Sequence, residues 1–171
     1  IEYYNTKHDS EIKKNVDLSK NPYDAIIQTI CKNEDIDPQL IRCIIKVESN
    51  FNKDAVSKAG AMGLMQLMQE TAQAYNLQDP FDPYENIKAG VKHFKSLLTI
   101  FKNAVVLALA AYHAGIWIVR KKKAVPNIKS TINYVNEVMR LYQPDKHHNY
   151  SVKIEKLYIQ ILPDGTINIT Q

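Results

Sequence analysis

Glu48 is a charged residue on an apolar face. Helical spacing places it one turn after Ile44 and Ile45, on a stripe that Ile41 begins. A carboxyl group there must be paired, neutralised by a raised pKa, or carried at an exposed helix end. Periodicity alone leaves two readings open. Glu48 either marks a fraying helix end or is a carboxylic acid kept protonated near neutral pH, the state that protonating a glycosidic oxygen requires. Two carboxylates usually flank such a bond. Asp54 is the nearest partner in sequence, and Asp35 and Asp37 precede the helix. Spacing fixes none of them opposite Glu48, and Asp54 suits a loop or capping position. A one-carboxylate mechanism therefore stays open.

The other chemistry-bearing residues are sparse. Cys31 and Cys43 are the two cysteines, with no CxxC or Cys/His cluster, so no metal site is expected. They read either as buried thiols or as one disulfide between two antiparallel helices. Arg120, Lys121, Lys122 and Lys123 form the one dense basic run. It is either a solvated helix end or a contact for an anionic partner. No nucleic-acid module surrounds it, so no nucleic-acid partner is expected.

The elements that must position Glu48 are helical. Asn21-Pro22 and Asp37-Pro38 each read as a cap followed by a first helical residue, opening stripes of Ile26, Ile27, Ile30 and Cys31, and of Ile41, Ile44 and Ile45. From Asn50 to Leu67 the pattern breaks around Gly60 and Gly63, which predicts a structured loop. A short helix around Thr71 to Tyr75 follows. Asp82-Pro83 starts another, with Ile87, Val91, Phe94, Leu98 and Phe101 on one face and Glu85 near its positive end. Ala104 to Ala114 is apolar almost all round and should be buried, with Gly115 as its stop. A last helix from about Ile128 to Tyr142 carries Ile128, Ile132, Val135, Met139 and Tyr142, and Pro144 ends it.

Three units result: an N-terminal arm over 1–20, a helical domain over 21–144, and an extension over 145–171. In the extension Val152, Ile154, Ile159 and Ile161 precede the turn residues Pro163-Asp164-Gly165, with Ile167 and Ile169 after them, which predicts a β-hairpin. The class is mainly α with a small C-terminal β-hairpin. Hydrophobic residues at 45%, charged residues at 23% and a net charge of +4 are ordinary for a globular chain. The longest apolar run, Ala104 to Ala111, is too short to span a bilayer, so no transmembrane segment is expected. Residues 1–20 are polar and charged and do not read as a secretion leader; for an exported protein the leader is expected to have been removed or to lie outside this sequence.

From Leu40 to Tyr142 the chain resembles the soluble lytic transglycosylases, relatives of goose-type lysozyme. Three blocks carry the resemblance in order. They are Ile44-Ile45-Lys46-Val47-Glu48-Ser49-Asn50-Phe51-Asn52, then Gly60-Ala61-Met62-Gly63-Leu64-Met65-Gln66-Leu67-Met68 with Thr71-Ala72 behind it, then Ala108-Leu109-Ala110-Ala111-Tyr112-His113-Ala114-Gly115. Tyr134-Val135 matches the family's Tyr-Val near its end.

The resemblance implies a lysozyme-like fold, peptidoglycan glycan strands as substrate, no cofactor, and a periplasmic or otherwise extracytoplasmic setting. It implies that Glu48 is the catalytic acid and then base, giving a 1,6-anhydro product without water or a second carboxylate. It places Ser57 in the loop facing the cleft, Gln66 and Met68 along the sugar groove, Tyr112 with its hydroxyl near the carboxylate, and Tyr134 on the cleft wall. His113 stands where the family usually has Asn and reads either as a sugar hydrogen-bond donor, the role assigned to it, or as a substituted core polar group; Ile116-Trp117 replaces the usual Pro-Gly, Gln69 a common Pro, and Ser130 a common Glu. Trp117 stacks on a sugar or packs in the core. A hydrolytic muramidase using the same Glu48 is a second reading, and the departures keep a third in view, a catalytically weak glycan-binding assembly protein. Cell-wall or secretion-machine proteins are the partners such roles would bring.

Overall fold

The computed structural model describes residues 17–144 and the backbone of 158–161 and 167–170. The described residues form seven helices: α1 (Asp24–Glu34), α2 (Pro38–Ser49), α3 (Gln69–Ala74), α4 (Pro83–Ile100), α5 (Val105–Ala114), α6 (Ile116–Lys122) and α7 (Lys129–Tyr142). The chain is mainly helical, as its periodicity predicts.

Local chemistry explains the helix starts. Asp37 accepts a 2.8 Å hydrogen bond from the Gln39 N–H, and Asp82 accepts one of 2.8 Å from the Glu85 N–H. Each is followed by a proline whose missing N–H costs nothing there, and each cap contributes about 1 kcal/mol. Glu85 does more than face a positive helix end: its carboxylate accepts from the Gln78 and Asp79 N–H groups at 2.9 and 3.2 Å. Asn21 does not cap α1. Its Oδ1 accepts from the Tyr23 N–H at 2.9 Å and its Nδ2 donates to Leu18 O at 2.7 Å, so it closes a turn and the helix opens at Asp24. Gly115 does end α5, at φ 91°, but α6 follows at once.

Helix α1 packs on α2 and α4, α2 on α7, and α5 on α4, α6 and α7. A helix with neighbours on three sides must be apolar all round, which accounts for the composition of α5. Ile27, Ile41, Ile44, Ile45, Phe94, Leu109 and Val135 are fully buried between these helices. Helix α7 buries Thr131, Tyr134, Val135, Val138 and Met139. Its inner face is thus rotated away from the predicted stripe, and Ile128 is exposed. That rotation carries Tyr134 inward.

Of the two readings of the cysteines the structure takes the buried thiols, and no disulfide joins the helices: Cys31 and Cys43 are free and buried. Burial pushes both thiols up to about 12, so each packs as a small uncharged side chain. The polar tie between α1 and α2 is instead the pair of Arg42 Nε with Asp24 Oδ1 at 2.6 Å, largely out of solvent. Removing one partner of such a pair strands a charge and costs about 3 kcal/mol.

In the C-terminal extension, β1 (Tyr158–Ile161) pairs antiparallel with β2 (Ile167–Thr170), Tyr158 opposite Thr170 and Ile161 opposite Ile167. The predicted turn at Pro163-Asp164-Gly165 lies outside the described residues, as does most of the N-terminal arm. Among the described residues no helix is long and apolar enough to cross a membrane.

Candidate active site

Glu48 lies in the last turn of α2, and that turn is held rather than frayed. Asn50 takes a left-handed conformation at φ 51°, and its N–H donates to Lys46 O at 3.1 Å. The Lys46 ammonium also donates to Asn50 Oδ1. Phe51 follows at φ 62°. Two successive non-glycine residues in this region cost roughly 1 kcal/mol each, so the surroundings must over-determine the bend. Ser49 is one reason: its hydroxyl donates to Leu64 O at 2.8 Å, tying the helix end to the loop beyond it.

The Leu64-Met65 segment is the hub of that loop. Three helices reach it with one side chain each. Ser49 of α2 holds Leu64 O, Tyr112 of α5 donates its hydroxyl to Met65 O at 2.7 Å, and Asn86 of α4 accepts from the Met65 N–H at 2.8 Å. The Asn86 amide also donates to Met62 O at 3.1 Å and Pro80 O at 2.8 Å. Asn86 is 1% exposed, so these bonds replace water that it cannot reach. Glycines permit the closeness. A side chain on Gly63, at φ 75°, would overlap the Asn86 amide and Pro80 O, and one on Gly90 would overlap the Met65 side chain.

Against this frame the Glu48 carboxyl is half-buried, with apolar neighbours behind it. Loss of hydration pushes its pKa up to about 7; the Tyr134 hydroxyl acts in the opposite sense by favouring the carboxylate. That hydroxyl is buried and has no partner at ordinary hydrogen-bond geometry among the described residues. Its contact with Glu48 is therefore looser than a full hydrogen bond. Burial and the nearby Glu48 charge hold the Tyr112 and Tyr134 phenols well above their usual range, so both stay protonated donors.

Two histidines border these tyrosines. The His113 ring lies 4.8 Å from that of Tyr134, and its Nδ1 is 3.1 Å from the hydroxyl of buried Thr131. His93 of α4 lies 5.4 Å from the Tyr112 ring and 5.8 Å from that of Tyr75. Partial burial lowers the pKa of both imidazoles, which favours their neutral forms.

Of the residues singled out in the sequence, the structure gathers Glu48, Tyr112, His113 and Tyr134. Ser57 and Gln66 are committed to the loop. The Ser57 hydroxyl accepts from the Ala61 N–H at 3.0 Å, and the Gln66 amide donates to Ala55 O and Gly63 O at 3.0 and 2.9 Å. Met68 precedes α3 and is 41% exposed, outside the core. Asp54 is exposed and paired with Lys53 at 2.7 Å. Among the described residues no three His, Cys, Asp or Glu side chains cluster as metal ligands. Sequence reasoning missed Asn86, Gly90 and His93. The one available signal was an amide and a glycine four residues apart beside an apolar stripe.

The family model described as "Transglycosylase SLT domain" matches residues 24–135. A transglycosylase of Enterobacteria phage PRD1 is 39% identical over 80 residues, covering 47% of this chain and 30% of that protein. The membrane-bound lytic murein transglycosylase F of Pasteurella multocida is 36% identical over 88 residues, covering 48% and 18%. An inactive Glu-to-Gln mutant of the lytic transglycosylase Slt from Pseudomonas aeruginosa superposes with a TM-score of 0.64 at 28% identity, over 71% of this chain and 23% of that one. The 70 kDa soluble lytic transglycosylase of Escherichia coli shares the fold, with a TM-score of 0.62 at 24% identity over 70% and 23%. The chain spans less than a third of the length of these relatives.

Proposed function

Because the chain belongs to the transglycosylase SLT domain family, we propose that it is a peptidoglycan lytic transglycosylase in which Glu48 acts alone, first as acid and then as base. The observation that carries this reading is a half-buried carboxyl whose pKa is pushed up to about 7 without a second carboxylate among the causes. Such a group is protonated over the range where a glycosidic oxygen must receive a proton, yet is readily deprotonated afterwards.

In this mechanism Glu48 protonates the oxygen leaving C1 of N-acetylmuramic acid in the β-1,4 bond to N-acetylglucosamine. An oxocarbenium-like centre develops, assisted by the sugar's own N-acetyl group. The resulting carboxylate takes the proton of the same sugar's C6 hydroxyl, which attacks C1 and closes the 1,6-anhydro ring. Tyr134 steadies the carboxylate between the two steps. Tyr112 keeps the Leu64-Met65 segment against the site. Ser57, Gln66, Met68 and His113 belong to the surface that receives the glycan. Ser57 and Gln66 act through the loop shape that their backbone bonds enforce.

The reading takes 21–144 as the lysozyme-like catalytic unit, with the arm over 1–20 and a β-hairpin over 145–171 as additions. It sets the unit outside the cytoplasm, where its substrate lies. The test is mass spectrometry of fragments released from purified sacculi. Anhydromuramoyl ends, lighter than reducing ends by one water, are expected. Reducing ends alone would mean a hydrolytic muramidase, and binding without release a glycan-binding assembly protein.

A further inference from the structure

The charges of this chain are unevenly placed. Between Asn86 and Asn136 the sequence holds nine lysines and arginines and no aspartate or glutamate, against a net charge of +4 for the whole. Those on α4 that lie near acids are paired: Lys92 with Glu34 at 4.0 Å and Lys95 with Asp35 at 3.8 Å. Those of α6 and its end are not. Lys121, Lys122 and Lys123 are exposed and have no ion-pair partner among the described residues.

The same short helix exposes large apolar side chains. Val119 is buried and fixes the inner face of α6. Helical spacing sets Trp117 beside Lys121 and Ile118 beside Lys122, each pair four residues apart, and all four side chains are exposed. Trp117 is 76% exposed and Ile118 is 40% exposed, so Trp117 is not a core residue. A lone exposed apolar side chain is unremarkable in a folded protein. An indole and an isoleucine side by side, flanked by four consecutive cations, form a defined chemical surface.

We propose that the outer face of α6 docks reversibly on an anionic phospholipid bilayer. Lysines and Arg120 would meet the headgroup phosphates, Trp117 would rest at headgroup depth, and Ile118 would reach the acyl boundary. Charge complementarity and the paired apolar side chains select this occupant. An acidic wall polymer would satisfy the cations but give Ile118 no role. A sugar ring stacked on Trp117 would compete with the Arg120 guanidinium, which lies 5.6 Å from the indole centre. The inference stands apart from the proposed reaction and uses none of its residues.

Trp117 is the sole tryptophan, so indole emission reports this face alone. The full chain is titrated with vesicles of phosphatidylglycerol and phosphatidylethanolamine, with phosphatidylcholine vesicles, and with purified sacculi. A shift of emission to shorter wavelength and co-sedimentation are expected with the anionic vesicles, reversed by salt. The double variant Lys121→Glu/Lys122→Glu, checked for native circular dichroism, should bind them roughly tenfold more weakly or worse. No shift with anionic vesicles, equal binding to phosphatidylcholine, or a shift with sacculi alone would overturn the proposal.

Discussion

Tyr134 of α7 and Glu48 of α2 meet where these two helices pack, and the tyrosine hydroxyl, buried and without an ordinary hydrogen bond among the described residues, favours the charged form of the carboxyl. Tyr134→Phe removes that influence. The sign is fixed: without a donor the carboxylate is less stable, so the Glu48 pKa rises above about 7. The alkaline limb of the pH–activity profile should move to higher pH. The hydroxyl satisfies little, so thermal stability should change by less than about 1 kcal/mol. An unmoved limb, or one moved to lower pH, would contradict this account.

Glu48 also costs stability. Its folded pKa of about 7 lies above the 4.5 of a free carboxyl, so the native state binds the proton more tightly than the unfolded chain does. Stability from this group is therefore full below the lower value and is lost as pH rises through the higher one. Allowing for its partial exposure, about 2 kcal/mol is at stake. Glu48→Gln should accordingly melt higher than the parent at pH 8, and the difference should shrink toward pH 5. Denaturation curves at the two pH values check it; an equal difference at both would sink the argument.

The loop geometry gives a paired prediction. Gly63 and Gly60 both have positive φ, 75° and 84°, but only Gly63 has neighbours in the way. Gly60→Ala should cost about 1 kcal/mol, the strain of a left-handed alanine. Gly63→Ala should cost at least twice that, because Asn86 and Pro80 must shift as well. Urea denaturation separates the two; equal costs would mean that the Asn86 contacts are soft.

How much of this was legible in the sequence follows from the range of each interaction. Asp37-Pro38 and Asp82-Pro83 declared their helix starts because cap and partner lie within three residues. Asn21 misled because its side chain serves the Tyr23 N–H before any helix begins. Helix α6 was hidden because Gly115 is a sound stop, and nothing local says that a second helix starts on the next residue. Asn86 was nearly silent for a deeper reason: its partners are backbone atoms of a loop more than twenty residues away and of Pro80, so the amide beside an apolar stripe does not say what it holds. Glu48 stood out because a carboxylate on an apolar face is anomalous on local grounds alone. Its neighbours Tyr112 and Tyr134 came into view through the family resemblance, since an aromatic at helical spacing reads equally well as core.

The most direct measurement is the rate at which purified Glu48→Gln protein solubilises sacculi, beside the parent, with native circular dichroism and melting confirmed first. The amide keeps the shape of the side chain and cannot give or take the proton. The account predicts a loss of about a thousandfold or more in a fully folded protein. Solubilisation within tenfold of the parent rate would contradict it and remove Glu48 from the chemistry.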